Sequence, residues 1–193
     1  DAGTAMVKDI RAGSGGSNPI SLTAVGNTLY FQANDGTSGN ELWASDGTEA
    51  GTTLVRDIRA GGGSSSPSNL TAAGDKLFFV ANDPTTGKEL WASDGTANGT
   101  FLVKDIFAGS SDSAPIYLTA AGSSLYFRAR DSIDRQEPWR TDGTAAGTVK
   151  LKQDNAKTSN SNPSNLTAIG NKLYFVGNDA VNGKELWKSD GTA

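Results

Sequence analysis

Apolar side chains in this chain come in short dense runs. Leu29-Tyr30-Phe31, Leu77-Phe78-Phe79-Val80, Leu125-Tyr126-Phe127 and Leu173-Tyr174-Phe175-Val176 are consecutive where a half-exposed strand would alternate, which predicts strands covered on both faces. Around the second of these runs the pattern predicts four strands. Strand A is Ser68–Ala73, strand B is Lys76–Asn82 after a tight Ala73-Gly74-Asp75 turn, and strand C is Lys88–Ser93. Strand D is represented by Thr52–Ile58, the last strand of the preceding unit. Gly recurs every few residues and β-branched and aromatic residues fill the periodic segments, so a helical repeat is ruled out.

The unit recurs every 48 residues without insertion or deletion, as the positions of Trp43, Trp91, Trp139 and Trp187 and of Pro19, Pro67, Pro115 and Pro163 demonstrate. A small sheet needing cover on both faces, repeated in tandem, finds both neighbours when sheets pack radially, so the expected fold is an all-β propeller of four-stranded blades. The whole chain, 1–193, is expected to be one domain, with repeats at approximately 11–58, 59–106, 107–154 and 155–193. The last is completed by residues 1–10, whose Thr4–Ile10 would supply its missing strand D. Four copies close alone as a monomeric four-bladed ring, which this reading prefers, or two chains join as a homodimer forming an eight-bladed ring.

Strand direction sorts the loops. The D to A loops (11–18, 59–66, 107–114, 155–162) and the B to C loops emerge on one face, and the shorter A to B and C to D turns emerge on the other. The longer loops make the first face the candidate binding surface. Its candidate ligand-binding residues are Asn34, Asp35, Asn82, Asp83, Arg130, Asp131, Asn178 and Asp179. Asp35, Asp83, Asp131 and Asp179 supply oxygen ligands of the kind calcium takes, but no segment has the alternating spacing of a dedicated calcium loop, so no cofactor is expected and calcium is the minor alternative.

Composition removes several function classes. There is no cysteine and no histidine, so thiolate chemistry, Cys-based zinc and the commonest general base are all missing, and no catalytic residue is assigned. A formal net charge of −4 gives no electrostatic footprint for nucleic acid, and the longest apolar run is far short of a membrane span. The four Trp are expected between blades. Asp46, Asp94, Asp142 and Asp190, each before a Gly, are expected to hold hairpin turns. Glu41, Glu89, Glu137 and Glu185 either bridge blades or face water.

The segments Glu41-Leu42-Trp43-Ala44-Ser45-Asp46-Gly47-Thr48, its copies at 89–96 and 185–192, and the downstream Gly51-Thr52-Thr53-Leu54-Val55-Arg56-Asp57-Ile58 resemble the repeat of the bacterial ELWxxDGT family. The third copy departs from it with Glu137-Pro138-Trp139-Arg140-Thr141-Asp142, and that repeat concentrates Arg128, Arg130, Arg135 and Arg140. The resemblance implies a propeller-like region of a secreted or surface-attached bacterial protein, and no settled activity. The expected function is therefore a non-enzymatic extracellular binding or scaffold module with a protein or glycan ligand. The alternative is a lectin-like propeller with one carbohydrate site per blade. Against the lectin, the candidate loops offer only Phe107, with Tyr117 just beyond, as rings for a sugar to stack on.

Overall fold

Four antiparallel sheets follow one another along the chain in a computed structural model that describes residues 3–133, 135–151, 161–179 and 181–192. The first contains β1 (Ile20–Val25), β2 (Thr28–Asn34), β3 (Asn40–Ser45) and β4 (Thr53–Arg56); the second β5 (Ser68–Ala73), β6 (Lys76–Asp83), β7 (Gly87–Ser93) and β8 (Phe101–Lys104). The third contains β9 (Ile116–Ala121), β10 (Ser124–Arg130), β11 (Gln136–Thr141) and β12 (Val149–Lys150); the fourth β13 (Ser164–Ile169), β14 (Lys172–Asp179) and β15 (Gly183–Ser189). Strand order within each sheet is sequential, as a meander requires. Strands A, B and C lie within one residue of their sequence-read limits in the second unit, and Gly74 makes its turn at φ 62°.

The innermost strands β1, β5, β9 and β13 lie side by side, and apolar contacts between successive sheets form the core. Tyr30, Leu42, Ala44, Val55 and Ile58 of the first unit meet Leu77, Phe79, Ala81 and Trp91 of the second. Phe78, Leu90, Val103 and Ile106 meet Leu125, Phe127, Ala129 and Trp139 in the same way, and Tyr126 and Leu151 meet Leu173 and Phe175. This explains the dense apolar runs: alternate residues of strand B serve opposite junctions. Trp91, Trp139 and Trp187 wedge between sheets as expected, whereas Trp43 packs on its own sheet and on Ile10 of the N-terminal segment.

The expected closure by the N-terminal strand is not what the structure has. Residues 4–10 form no strand, the fourth sheet has three strands ending at β15, and β13 does not pack beside β1 as its neighbours do. The reason lies in where the N-terminal segment docks. Lys8 Nζ donates to the Thr52 carbonyl at 2.7 Å, as Lys104 Nζ does to Thr148 at 2.8 Å, and Ile10 packs on Phe31, Ala33 and Trp43. The segment thus sits on the first sheet as the strand D of a preceding sheet would. Among the described residues no four-bladed ring closes within one chain: β1, β5, β9 and β13 follow one another as an open arc.

Strand A carries a bulge in every unit, visible as a register shift between Ser68 and Thr71 and its equivalents. Two residues per unit take positive φ there: Asn18 and Ser21, Ser66 and Asn69, Ala114 and Tyr117, Asn162 and Asn165. Most are Asn or Ser, but Ala114, at φ 46° on the surface, has no side-chain polar group to offset the strain. Replacing Ala114 with Gly should raise stability by about 1 kcal/mol despite the added freedom of the unfolded chain. Urea titration checks it; an unchanged or lower midpoint would show that the backbone at 114 is not strained.

Candidate functional site

Every junction between sheets is fastened at the candidate face by a buried glutamate. Glu41, at the start of β3, accepts the Ser65 amide at 2.8 Å, the Ser65 hydroxyl, and the Ile58 amide at 3.3 Å. Glu89 accepts the Ser113 amide at 3.0 Å, the Ser113 hydroxyl at 2.5 Å and the amides of Ile106 and Phe107 at 3.3 and 3.4 Å. Glu137 accepts the Ser161 hydroxyl at 2.6 Å. Burial outweighs these hydrogen bonds and pushes all three carboxyls up, Glu89 to about 7. Of the two readings left open for the glutamates, bridging holds at these three positions, whereas Glu185 is exposed.

The clamps set the D to A loops against the B to C loops. Ser66 N bonds to Asn40 O at 3.0 Å, Ala114 N to Lys88 O at 3.1 Å and Asn162 N to Gln136 O at 3.1 Å, while Asn82 N, Arg130 N and Asn178 N each bond to the serine carbonyl of an adjoining D to A loop at 2.8 Å. Both loop classes therefore emerge on one face, as strand direction predicts. Of the fourth D to A loop only residues 161 and 162 lie among the described residues.

The eight candidate ligand residues lie on that face but do not converge. They stand on four separate loops, and the aspartates turn inward to their own backbones. Asp35 accepts the Thr37 and Ser38 amides at 2.8 and 2.7 Å, with Asn34 accepting the Gly36 amide at 2.7 Å. Asp83 accepts the Thr85 amide at 2.7 Å, and Asp179 accepts the amides of Val181, at 2.9 Å, and Asn182. Asp131 accepts the Ile133 and Arg135 amides, both at 3.1 Å, and pairs with Lys150 at 2.9 Å. Among the described residues no three acidic side chains gather as a cation site would need. These residues shape the loops.

Arg130 is the exception. Its guanidinium donates to the Asp112 carbonyl at 2.8 and 3.1 Å and lies 5.1 Å from the Phe107 ring, while Arg128 lies 5.0 Å from the ring of exposed Tyr117. The third unit thus presents two aromatic and arginine pairs at positions where the other units carry no aromatic ring. The Arg concentration in the sequence is the signal for this patch, although it did not identify the rings as partners.

On the opposite face the third and fourth sheets enclose a polar cleft that the sequence reading did not find. Tyr126 Oη donates to the Asn171 carbonyl at 3.2 Å, and Arg140 donates to Ser124 Oγ at 3.0 and 3.3 Å, with Asp190 on the far wall. Burial raises the Tyr126 phenol above its usual range. Arg140 stands where Ala44 and Ala92 occupy the first two junctions, and that substitution is the only sequence signal for the cleft. Asp46 and its equivalents, on the same side, hold turns as expected: Asp46 accepts the Thr48 amide and hydroxyl at 2.9 and 2.7 Å, and Thr48 Oγ1 in turn accepts the Gly51 amide at 2.9 Å. These bonds from Thr48 hold the Asp46 carboxyl below the ordinary range.

No family model matches the chain, and no curated protein is similar to it. Among solved structures the chain is similar to puromycin hydrolase, with TM-score 0.57 and 16% identity over 89% of this chain and 26% of that one. It is also similar to a putative TolB from Agrobacterium tumefaciens, with TM-score 0.51 and 12% identity over 87% of this chain and 60% of that one. The chain spans about a quarter of the first and less than two thirds of the second, and likeness at these identities concerns the fold alone. It places the four sheets among propeller-type folds.

Proposed function

We propose that the chain is a non-enzymatic binding or scaffold module of an extracellular or surface-attached bacterial protein, as the ELWxxDGT resemblance implies, and that it acts through the face made by the D to A and B to C loops. The observation that supports this reading is the fastening of that face. At each of the three junctions between sheets, Ser65, Ser113 or Ser161 of a D to A loop is tied to the preceding sheet by a buried glutamate and a neighbouring backbone bond, so the loops are held in place before any ligand arrives. The aspartates that could have served as acid, base or metal ligand are committed to their own turns. The likeness to puromycin hydrolase covers only 26% of that protein and brings no activity to this chain.

The lectin reading has one observation in its favour, the exposed Tyr117 ring beside Arg128. The equivalent positions carry Ser21, Asn69 and Asn165, which speaks for a single aromatic patch and against one sugar site per blade. A glycan array with the intact chain separates the readings. A scaffold retains no carbohydrate, and retention approaching four sugars per chain would replace this proposal with the lectin.

A further inference from the structure

The two ends of the arc carry complementary halves of the same junction. Leu186 of β15 is 74% exposed where Leu42 and Leu90 are 0% exposed, and Ile169 is 65% exposed where Ala73 and Ala121 are 4 and 5%. At the other end Leu22 and Leu29 are 61 and 36% exposed, although Leu77, Leu125 and Leu173, the equivalents of Leu29, are all 0%. Val7, Ile10, Leu22, Leu29 and Phe31 line an apolar groove on the first sheet. The clamp is split in the same way. Ser17 occupies the position of Ser65, Ser113 and Ser161 but receives no glutamate, and Glu185 occupies the position of Glu41, Glu89 and Glu137 but meets no serine. The N-terminal segment already sits on the first sheet as a strand D without its sheet, and the fourth sheet lacks a strand D.

We propose that a second copy of this chain docks head to tail on these two faces, so that the fourth sheet of each copy enters the groove of the other and two copies close one ring of eight sheets. In the register of the internal junctions, Thr53 opposite Ala44 and Arg56 opposite Leu42, residues 5 and 8 of one copy pair with Lys188 and Leu186 of the other. Glu185 then reaches Ser17 of the second copy, Leu186 fills the groove, and Tyr174 lies against Gly47 as Tyr30 lies against Gly95. The occupant is a copy of this chain because every missing group at one end is present, unpartnered and at the matching repeat position, at the other. A head-to-tail contact of this kind closes only if the rotation per copy fits, and otherwise builds filaments.

Light scattering on the full chain tests the proposal. The expected species is a discrete dimer of the 19.9 kDa chain. Leu186→Asp should weaken it about a hundredfold and Glu185→Ala about tenfold, the second by leaving buried serine and amide donors without their acceptor. Both residues are exposed within one chain, so the secondary structure of each variant, followed by circular dichroism, should be unchanged. A one-chain mass for the unsubstituted protein, a ladder of ever larger species, or a dimer indifferent to both substitutions would overturn the proposal. A one-chain mass would point to sheets of a longer polypeptide as the natural cover.

Discussion

Replacing Trp91 with Ala should cost about 3–5 kcal/mol, the range for truncating a buried aromatic that leaves a cavity. The indole is 5% exposed and is held on both sides, by Tyr30, Leu42 and Ile58 of the first unit and by its own sheet partners Phe79 and Leu77. Arg56 adds a cation 5.9 Å from the ring centre. Trp187, at the same repeat position but only partly buried, should cost visibly less in the isolated arc, because part of its surface already meets water. Urea denaturation of the two variants measures the difference. Equal losses would mean that the fourth junction is packed as tightly as the second.

The buried glutamates should make stability fall as pH rises. The Glu89 carboxyl ordinarily titrates at 4.5 and in the folded chain at about 7, because burial disfavours its charge. Between those values the folded state therefore binds one more proton than the unfolded state. The contribution is fully present below pH 4.5 and is lost as pH rises through 7, a change of about 3 kcal/mol at most. Glu41 and Glu137 are raised in the same direction and steepen the slope. Glu89→Gln keeps an oxygen for the Ser113 and Phe107 amides, which share one carboxylate oxygen, and removes the titration, so its urea midpoint should change less between pH 5 and pH 8 than that of the unsubstituted chain. Parallel slopes would mean that Glu89 is ionised in the folded state throughout. Glu89→Ala should cost about 3 kcal/mol at pH 5, since it strands several donors at a buried site, and less at pH 8, where the unsubstituted chain has itself lost stability to the ionisation of Glu89.

Much of this architecture is legible in the letters because the repeat states each rule four times. Strand limits, the sidedness of the loops, the wedge role of Trp and the turn role of Asp46 all follow from local patterns: dense apolar runs, a Gly that must turn, an Asp two residues before a Thr. What the letters do not carry is the rotation from one sheet to the next. That rotation depends on how Tyr30, Leu77, Phe79 and Trp91 interlock, and it determines whether β13 reaches β1. The preference for closure within one chain fails on that quantity, and Thr4–Ile10 docks where a strand D would lie without forming a strand. The turn role of the candidate aspartates stays hidden in the letters for a related reason. An Asp in a loop serves as ligand or as turn cap, and the capping bonds are visible only once the amides of Thr37, Thr85 and Val181 are placed. The glutamate clamp was undecidable from sequence because its partner, Ser65, lies in the next unit at a distance no local pattern reveals.

The central claim is that the N-terminal segment of a second copy pairs with β15 of the fourth sheet. The absence of cysteine makes a clean test available. With Ala5→Cys and Lys188→Cys in one chain, oxidation or a short thiol crosslinker should join residue 5 of one copy to residue 188 of another, giving a covalent dimer on a non-reducing gel and unfolding as a two-chain species in mass spectrometry. A crosslink formed within a single chain would establish the four-sheet ring that the arc excludes, and thiols that remain free would show that the two ends do not meet in any assembly.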